Sequence, residues 1–358
     1  GDTASALAAG CSVVVKAHPA HPGTSELVAA VIVAAAQQTG MPAGVFSMLF
    51  DAGHAVGATL VQHPAIQAVG FTGSLRGGRA LMDLAAARPQ PIPVYAEMGS
   101  VNPVFILPGA LAARGAELAA GLHASVTLGV GQFCTNPGLH ILPAGEAAQA
   151  FLAKLGELMA GTPAGVMLTS GICDKYRKGA QRLAGSAGVT TVAQAAAGGA
   201  HGGAAQVFAT DAPRFLADLT LAEEVFGPAT LAITYGSDTE LLAVARALDG
   251  QLTVSVHGTE ADFAQHAELL VVLADKAGRL VFNGFPTGVE VCHAMVHGGP
   301  YPAASDSRST SVGTRAALRF LRPVCFQGAP DAQLPDELKE ANPLGLLRLV
   351  DGRLVAGP

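Results

Sequence analysis

The chain has 358 residues, 50% of them apolar and only 13% charged, enough for a large core and two domains and far from a disordered composition. Its net charge of −6 supplies no basic footprint for nucleic acid or an anionic membrane surface. The five cysteines are odd in number and form no CxxC pair, which points to reduced thiols in a cytoplasmic protein rather than a disulfide framework.

No basic stretch precedes the small apolar residues 3–15, so a signal peptide is not expected. The apolar run 27–36 is far too short to span a bilayer. Gly1 rather than Met opens the sequence, and the expectation is that it begins inside a longer protein. An Ala-rich helix ending at Gly10 is followed by a strand at 12–16 (Ser-Val-Val-Val-Lys). The loop Ala17-His18-Pro19-Ala20-His21-Pro22-Gly23 leads to a helix from about Thr24, a strand at 45–50, a short helix at 54–62 and a strand at 65–71. Short strands alternating with helices predict a doubly wound α/β sheet.

Thr72-Gly73-Ser74 then forms a strand-to-helix junction, where free backbone N–H groups favour a phosphate, although the segment lacks the GxGxxG fingerprint. Further strands are expected at 104–107, 140–142, 229–234, 253–257 and 280–282, and helices at 115–127, 147–159, 238–248 and 261–274. Residues 184–205 are Ala/Gly-rich and read as a surface excursion. The tail mixes a strand at 324–327 with Pro-rich turns.

The chain is organised around Gly129-Val130-Gly131-Gln132-Phe133-Cys134-Thr135-Asn136-Pro137-Gly138. A buried cysteine is ordinarily a small hydrophobe, but these glycines favour a tight, exposed backbone around the thiol. Upstream, Glu97 sits in the apolar turn Val94-Tyr95-Ala96-Glu97-Met98-Gly99-Ser100, where desolvation is expected to raise its pKa. A thiol nucleophile and a remote carboxylate base form a minimal kit for covalent chemistry on a carbonyl. Cofactor-free acyl transfer is disfavoured because no histidine lies near Cys134 in sequence. Cys292, His293 and His297 cluster in sequence, as do His18 and His21, but neither set has zinc-site spacing, and no metal is expected.

Ser-Val-Val-Val-Lys, Phe-Thr-Gly-Ser, the Glu97 turn, Gly-Gln-Phe-Cys and Glu-Val-Phe-Gly-Pro, in this order, resemble the aldehyde dehydrogenase superfamily. Lys-Ala-His-Pro-Ala-His-Pro, Asn-Gly-Phe-Pro-Thr-Gly-Val-Glu-Val and Arg-Ser-Thr-Ser-Val-Gly-Thr narrow the likeness to the α-ketoglutaric semialdehyde (2,5-dioxovalerate) dehydrogenases. The resemblance implies a doubly wound parallel-sheet cofactor domain, incomplete here, in residues 1–98, an α/β catalytic domain in 99–320, and a tail at 321–358 contacting another subunit.

By the same likeness Cys134 is the nucleophile, its backbone N–H is half of the oxyanion hole, and Glu97 activates the hydrolytic water. Lys16 meets the adenosine ribose, Gly73 and Ser74 the pyrophosphate, and Glu224 and Phe226 the nicotinamide ribose. The substrate is a small aldehyde, most simply α-ketoglutaric semialdehyde, and the protein is a dimer or tetramer with no nucleic-acid or membrane partner. Two departures stand out. Ser100 replaces the family's usual second glycine, and Pro19 stands where NAD-preferring members carry Glu, so NADP is expected to serve at least as well as NAD. Family chains also carry an upstream segment with an oxyanion-binding asparagine that has no counterpart here. The alternatives are a catalytically inactive fragment and a dehydrogenase for another aldehyde.

Overall fold

The computed structural model describes residues 1–356, which cluster into a unit spanning Gly1–Phe320 and a second beginning at Leu321. The first unit opens with α1 (Asp2–Ala8), β1 (Val13–Lys16), α2 (Pro22–Gln38), β2 (Phe46–Leu49), α3 (Ala55–Gln62), β3 (Val69–Thr72), α4 (Leu75–Ala86) and β4 (Val94–Glu97). The expected alternation is present, and every pairing in it is parallel. The strands, however, form two separate pairs, β1 with β2 and β3 with β4, instead of one continuous doubly wound sheet.

The large sheet lies downstream. Its elements are β5 (Val104–Ile106), α5 (Pro108–Thr127), β6 (Leu139–Pro143), α6 (Glu146–Ala160), β7 (Gly165–Val166), α7 (Ser170–Gly185), β8 (Thr190–Gln194), β9 (Gly202–Gly203) and β10 (Gln206–Asp211). There follow α8 (Ala212–Ala217), β11 (Ala229–Tyr235), α9 (Asp238–Ala247), β12 (Gln251–His257), α10 (Glu260–Gln265), α11 (Ala267–Lys276) and β13 (Ala277–Phe282). Seven strands run in the order β13-β12-β5-β6-β11-β10-β8, parallel except for β8, while β7 and β9 form a small antiparallel pair.

Successive side chains of these strands enter opposite cores, as the period of two requires. Phe105, Ile141, Phe208, Leu231, Val254 and Val256 join one cluster with residues of α7, α8, α9 and α11. Val104, Ile106, Leu142, Val207 and Ala232 join the other with α5 and α6.

Three expectations are corrected. Residues 184–205 are not simply a surface excursion, because Thr190-Thr191-Val192 is a β-branched run that pairs antiparallel with β10 and becomes the sheet edge. The helix expected at 261–274 breaks at His266 into α10 and α11. No strand forms at 324–327, a stretch beside Pro323. In the second unit the strands are instead β14 (Arg348–Val350) and β15 (Arg353–Val355), an antiparallel hairpin turned by Asp351 and Gly352 at positive φ.

Candidate active site

Cys134 follows a backbone of unusual hand. Gly129, Val130 and Gly131 take φ of 56°, 59° and 64° in succession, a conformation that strains the β-branched Val130. At Gly131 a Cβ would lie 2.2 Å from the Gly227 carbonyl carbon, so only glycine lets this loop rest on the Gly227-Pro228 backbone. The carboxamide of Asn102 secures the other side by donating to the carbonyls of Cys134 (2.9 Å) and Asn136 (3.0 Å). Asn102 is itself buried at φ 44°, and the Gln251 side-chain oxygen accepts from its N–H and from that of Val101. Ser100, the departure from the family motif, takes part directly: its hydroxyl accepts from Leu252 N–H at 3.0 Å and lies 2.9 Å from the Gln251 side chain.

Glu97 ends β4. Its carbonyl accepts from Gly73 N–H at 3.0 Å, which ties the base to the phosphate-type junction. On its other side a returning segment bridges at Ala304, where Met98 N–H donates to Ala303 and Ser305 N–H to Ala96. That segment delivers two side chains the sequence reading did not assign to the site. His297 Nε2 lies 3.1 Å from Glu97 Oε1, and the Ser311 hydroxyl donates to Glu97 Oε2 at 2.8 Å. The same His297 Nε2 is 3.3 Å from Cys134 Sγ. Ligand-type atoms of Glu97, Cys134 and His297 all fall within 4.8 Å of one another.

The electrostatics correct one expectation. Burial does push the Glu97 carboxyl up, but hydrogen bonding to His297, the histidine's charge and the Ser311 hydroxyl outweigh it and leave the group below its ordinary value. The Cys134 thiol is pushed up to about 12 by burial, the Glu97 charge and its hydrogen bond to Glu97. The N–H groups of Cys134 and Thr135 face the sulfur and draw it partly back. Neither N–H donates to a backbone carbonyl among the described residues, which suits the role expected of the Cys134 N–H.

The other expected residues sit as follows. Ser74 caps α4, its hydroxyl accepting from Gly77 N–H at 3.3 Å. Glu224 crowds Gly99, where a Cβ would lie 2.8 Å from its Oε2. Burial against the surrounding protein raises the Glu224 carboxyl to about 7, partly offset by hydrogen bonding from the Ser100 backbone N–H. Phe226 is half-buried in the same turn. Lys16 closes β1, where its charge helps hold Asp51 below the usual carboxylate range, behind the larger effect of the Gly53 and Val56 N–H groups.

Thus Cys134 and Glu97 come within 4.8 Å of each other with His297 contacting both. Gly73 and Glu224 border the Glu97 turn, and among the described residues no hydrogen bond or ion pair joins Lys16 to them. The histidine cluster weighed from sequence does not form. Cys292 is exposed, His293 bonds Thr314, and the His18 and His21 rings stack at 5.3 Å. His297 instead faces Cys134, which removes the objection to thiol acyl transfer.

The aldehyde dehydrogenase family model matches residues 1–300. Over 355 residues the chain is 55% identical to alpha-ketoglutaric semialdehyde dehydrogenase 2 of Azospirillum brasilense, covering 99% of this chain and 67% of that protein. It is 49% identical over 363 residues to alpha-ketoglutaric semialdehyde dehydrogenase of Acinetobacter baylyi, with the same two coverages. Among solved structures, glyceraldehyde-3-phosphate dehydrogenase GapN from Methanocaldococcus jannaschii complexed with NADP matches with a TM-score of 0.73 at 19% identity, over 88% of this chain and 66% of that one. A 1-pyrroline-5-carboxylate dehydrogenase matches with a TM-score of 0.73 at 23% identity, over 90% of this chain and 61% of that one. At these identities the two structures speak for the fold.

Proposed function

The chain belongs to the aldehyde dehydrogenase family, and on that premise we propose that it oxidises α-ketoglutaric semialdehyde to 2-oxoglutarate through covalent catalysis at Cys134. The observation that carries this reading is the convergence of Cys134 Sγ with Glu97 and His297 at the end of a parallel strand. The thiol adds to the aldehyde carbon, its proton passing to the Glu97–His297 pair, and the product is a thiohemiacetal. The Cys134 N–H stabilises the developing oxyanion. A bound NAD(P) would supply the acceptor for the hydride whose loss from this adduct leaves a thioester on Cys134. Glu97 then takes a proton from water, whose oxygen attacks the thioester carbon and releases the acid and the thiol.

The residues present fit a dinucleotide. The Ser74-capped start of α4 offers N–H groups for a phosphate. Glu224 lies beside Gly99 of the Glu97 turn and forms no ion pair among the described residues, which suits it to accept from ribose hydroxyls. We assign Lys16 to the adenosine ribose and expect NADP to serve at least as well as NAD, since Pro19 contributes no charge. Asp51 near Lys16 has its carboxylate committed to the N–H groups of Gly53 and Val56. Steady-state kinetics with both cofactors test this, and a strong preference for NAD would overturn it.

We further assign residues 1–98 to the cofactor domain, 99–320 to catalysis and the tail to self-association as a dimer or tetramer in the cytoplasm. Gel filtration with the tail's exposed Leu349 and Leu354 changed to Ser checks the association. No helix among the described residues is long and apolar enough to cross a membrane.

The mechanism is tested by Cys134→Ala and Glu97→Gln. The first is expected to abolish NAD(P)H formation. The second is expected to keep a pre-steady-state burst while slowing turnover, because it removes the base for hydrolysis. Normal turnover by Cys134→Ala would exclude the scheme. Cofactor-free acyl transfer draws support from the His297 contact, yet both histidine contacts fall on Nε2. A relay from acid to nucleophile uses the two ring nitrogens separately.

A further inference from the structure

The arrangement around His297 has a second chemical meaning. One ring nitrogen cannot hand a proton to Cys134 and at the same time be oriented through that atom by Glu97. The thiol sulfur, the imidazole nitrogen and the carboxylate oxygen converge on one another instead. We propose that Cys134, His297 and Glu97 form a three-ligand site for a zinc-like divalent cation, and that occupancy reversibly blocks the nucleophile.

Thiolate, imidazole and carboxylate are the three ligand types zinc accepts, and three protein ligands leave a fourth position for water. Bond lengths of about 2.0–2.3 Å to a tetrahedral ion place ligand atoms about 3.4–3.6 Å apart. The observed 3.1 Å between His297 and Glu97 and 3.3 Å between His297 and Cys134 need to open by only a few tenths of an ångström. The supporting contacts already exist. Ser311 donates to the second Glu97 oxygen at 2.8 Å, the Thr310 hydroxyl accepts from the backbone N–H of His297 at 2.9 Å and so fixes that residue's main chain, and Asn102 holds the Cys134 carbonyl. Binding forms a metal–sulfur bond and releases the thiol proton to solvent, with no change of oxidation state. The cation withdraws charge from the metal-bound sulfur and holds it among the other ligands, so its attack on an aldehyde is suppressed. This inhibitory consequence rests on the reading of Cys134 as the nucleophile, whereas the site itself rests on geometry.

The test uses Co2+ as a spectroscopic probe and Zn2+ as competitor on the metal-stripped protein. One equivalent of Co2+ is expected to give a thiolate-to-metal charge-transfer band and intense tetrahedral visible bands, both displaced by Zn2+. Cys134→Ala should lose the charge-transfer band, and His297→Gln should weaken binding at least tenfold. Cys292→Ser combined with Cys325→Ser should keep the band, because those exposed thiols lie outside the cluster. Circular dichroism confirms that each variant is folded, and Cys134→Ser replaces any alanine variant that is not.

Zinc should also suppress NAD(P)H formation, with recovery on adding a chelator. Failure to bind one equivalent, or a band unchanged in Cys134→Ala, overturns the site. A Cys134-dependent band in a protein with no aldehyde oxidation would leave the metal site standing and remove the dehydrogenase reading. Cys134-dependent oxidation without the band would do the reverse.

Discussion

Residues 1–98 and the sheet region from 101 to 285 are written in the same local pattern, short strands alternating with helices, yet they are packed very differently. In the first, the buried apolar side chains are Ala6, Ala17, Phe46, Val61, Ala85, Ala96 and Met98, most of them small. Helix α2 buries only Ser25 and leaves Leu27, Val28, Val31 and Val33 exposed. In the second, Phe105, Ile141, Phe208, Val254 and Val256 are wholly buried, and helices cover both faces of the sheet. Local pattern therefore sets which elements form, and coverage of both faces sets whether strands join into one stable sheet. Cys134 rises from the well-packed region, while Glu97 stands at its border with the other, so the site joins a rigid nucleophile to a base on a thinner support.

The largest expected contrast is in amide exchange. Val254 in β12 should exchange only through global unfolding, whereas Val14 in β1 should exchange through local opening, at least roughly a thousandfold faster. Equal protection at the two positions would break the comparison. Next in size is side-chain truncation. Phe208→Ala should cost about 3–5 kcal/mol in urea unfolding, and Leu27→Ala, on the exposed face of α2, no more than about 0.5 kcal/mol.

The polar support of the nucleophile loop comes third. Asn102→Ala strips the donor from two loop carbonyls and should cost about 1–3 kcal/mol, with a larger proportional loss of turnover than of folded protein. The smallest effects are those of pH. A Glu97 carboxyl held below its ordinary value favours the fold above that ordinary value, and this contribution is lost as pH falls through the depressed one. The acid limb of activity should accordingly lie below the usual carboxylate range. A Cys134 thiol near 12 should react with iodoacetamide about tenfold faster per pH unit between pH 7 and 9, after the exposed Cys292 has been modified.

The legible part of the site was the part carried by contiguous motifs. Cys134 stood between its glycines, and Glu97 stood in its apolar turn. Ser74 was visible as a strand-to-helix junction and is seen as the cap of α4. His297 was legible only as a member of a sequence cluster that does not form, because its partners lie 163 and 200 residues away. The direction of the Glu97 shift followed from that omission. Desolvation could be inferred from apolar neighbours, but the histidine and hydroxyl that outweigh it arrive on a distant segment. The edge strand β8 is hidden for a related reason: an Ala/Gly-rich surrounding masks a β-branched run that pairs with β10.

The most direct measurement of the central claim is peptide mass mapping of Glu97→Gln after brief incubation with α-ketoglutaric semialdehyde and NADP, quenched in acid. The account predicts an acyl adduct on the peptide containing Cys134, formed only when aldehyde and cofactor are both present and removed by hydroxylamine. An adduct on another residue, or steady NADPH production with Cys134 never acylated, would contradict it.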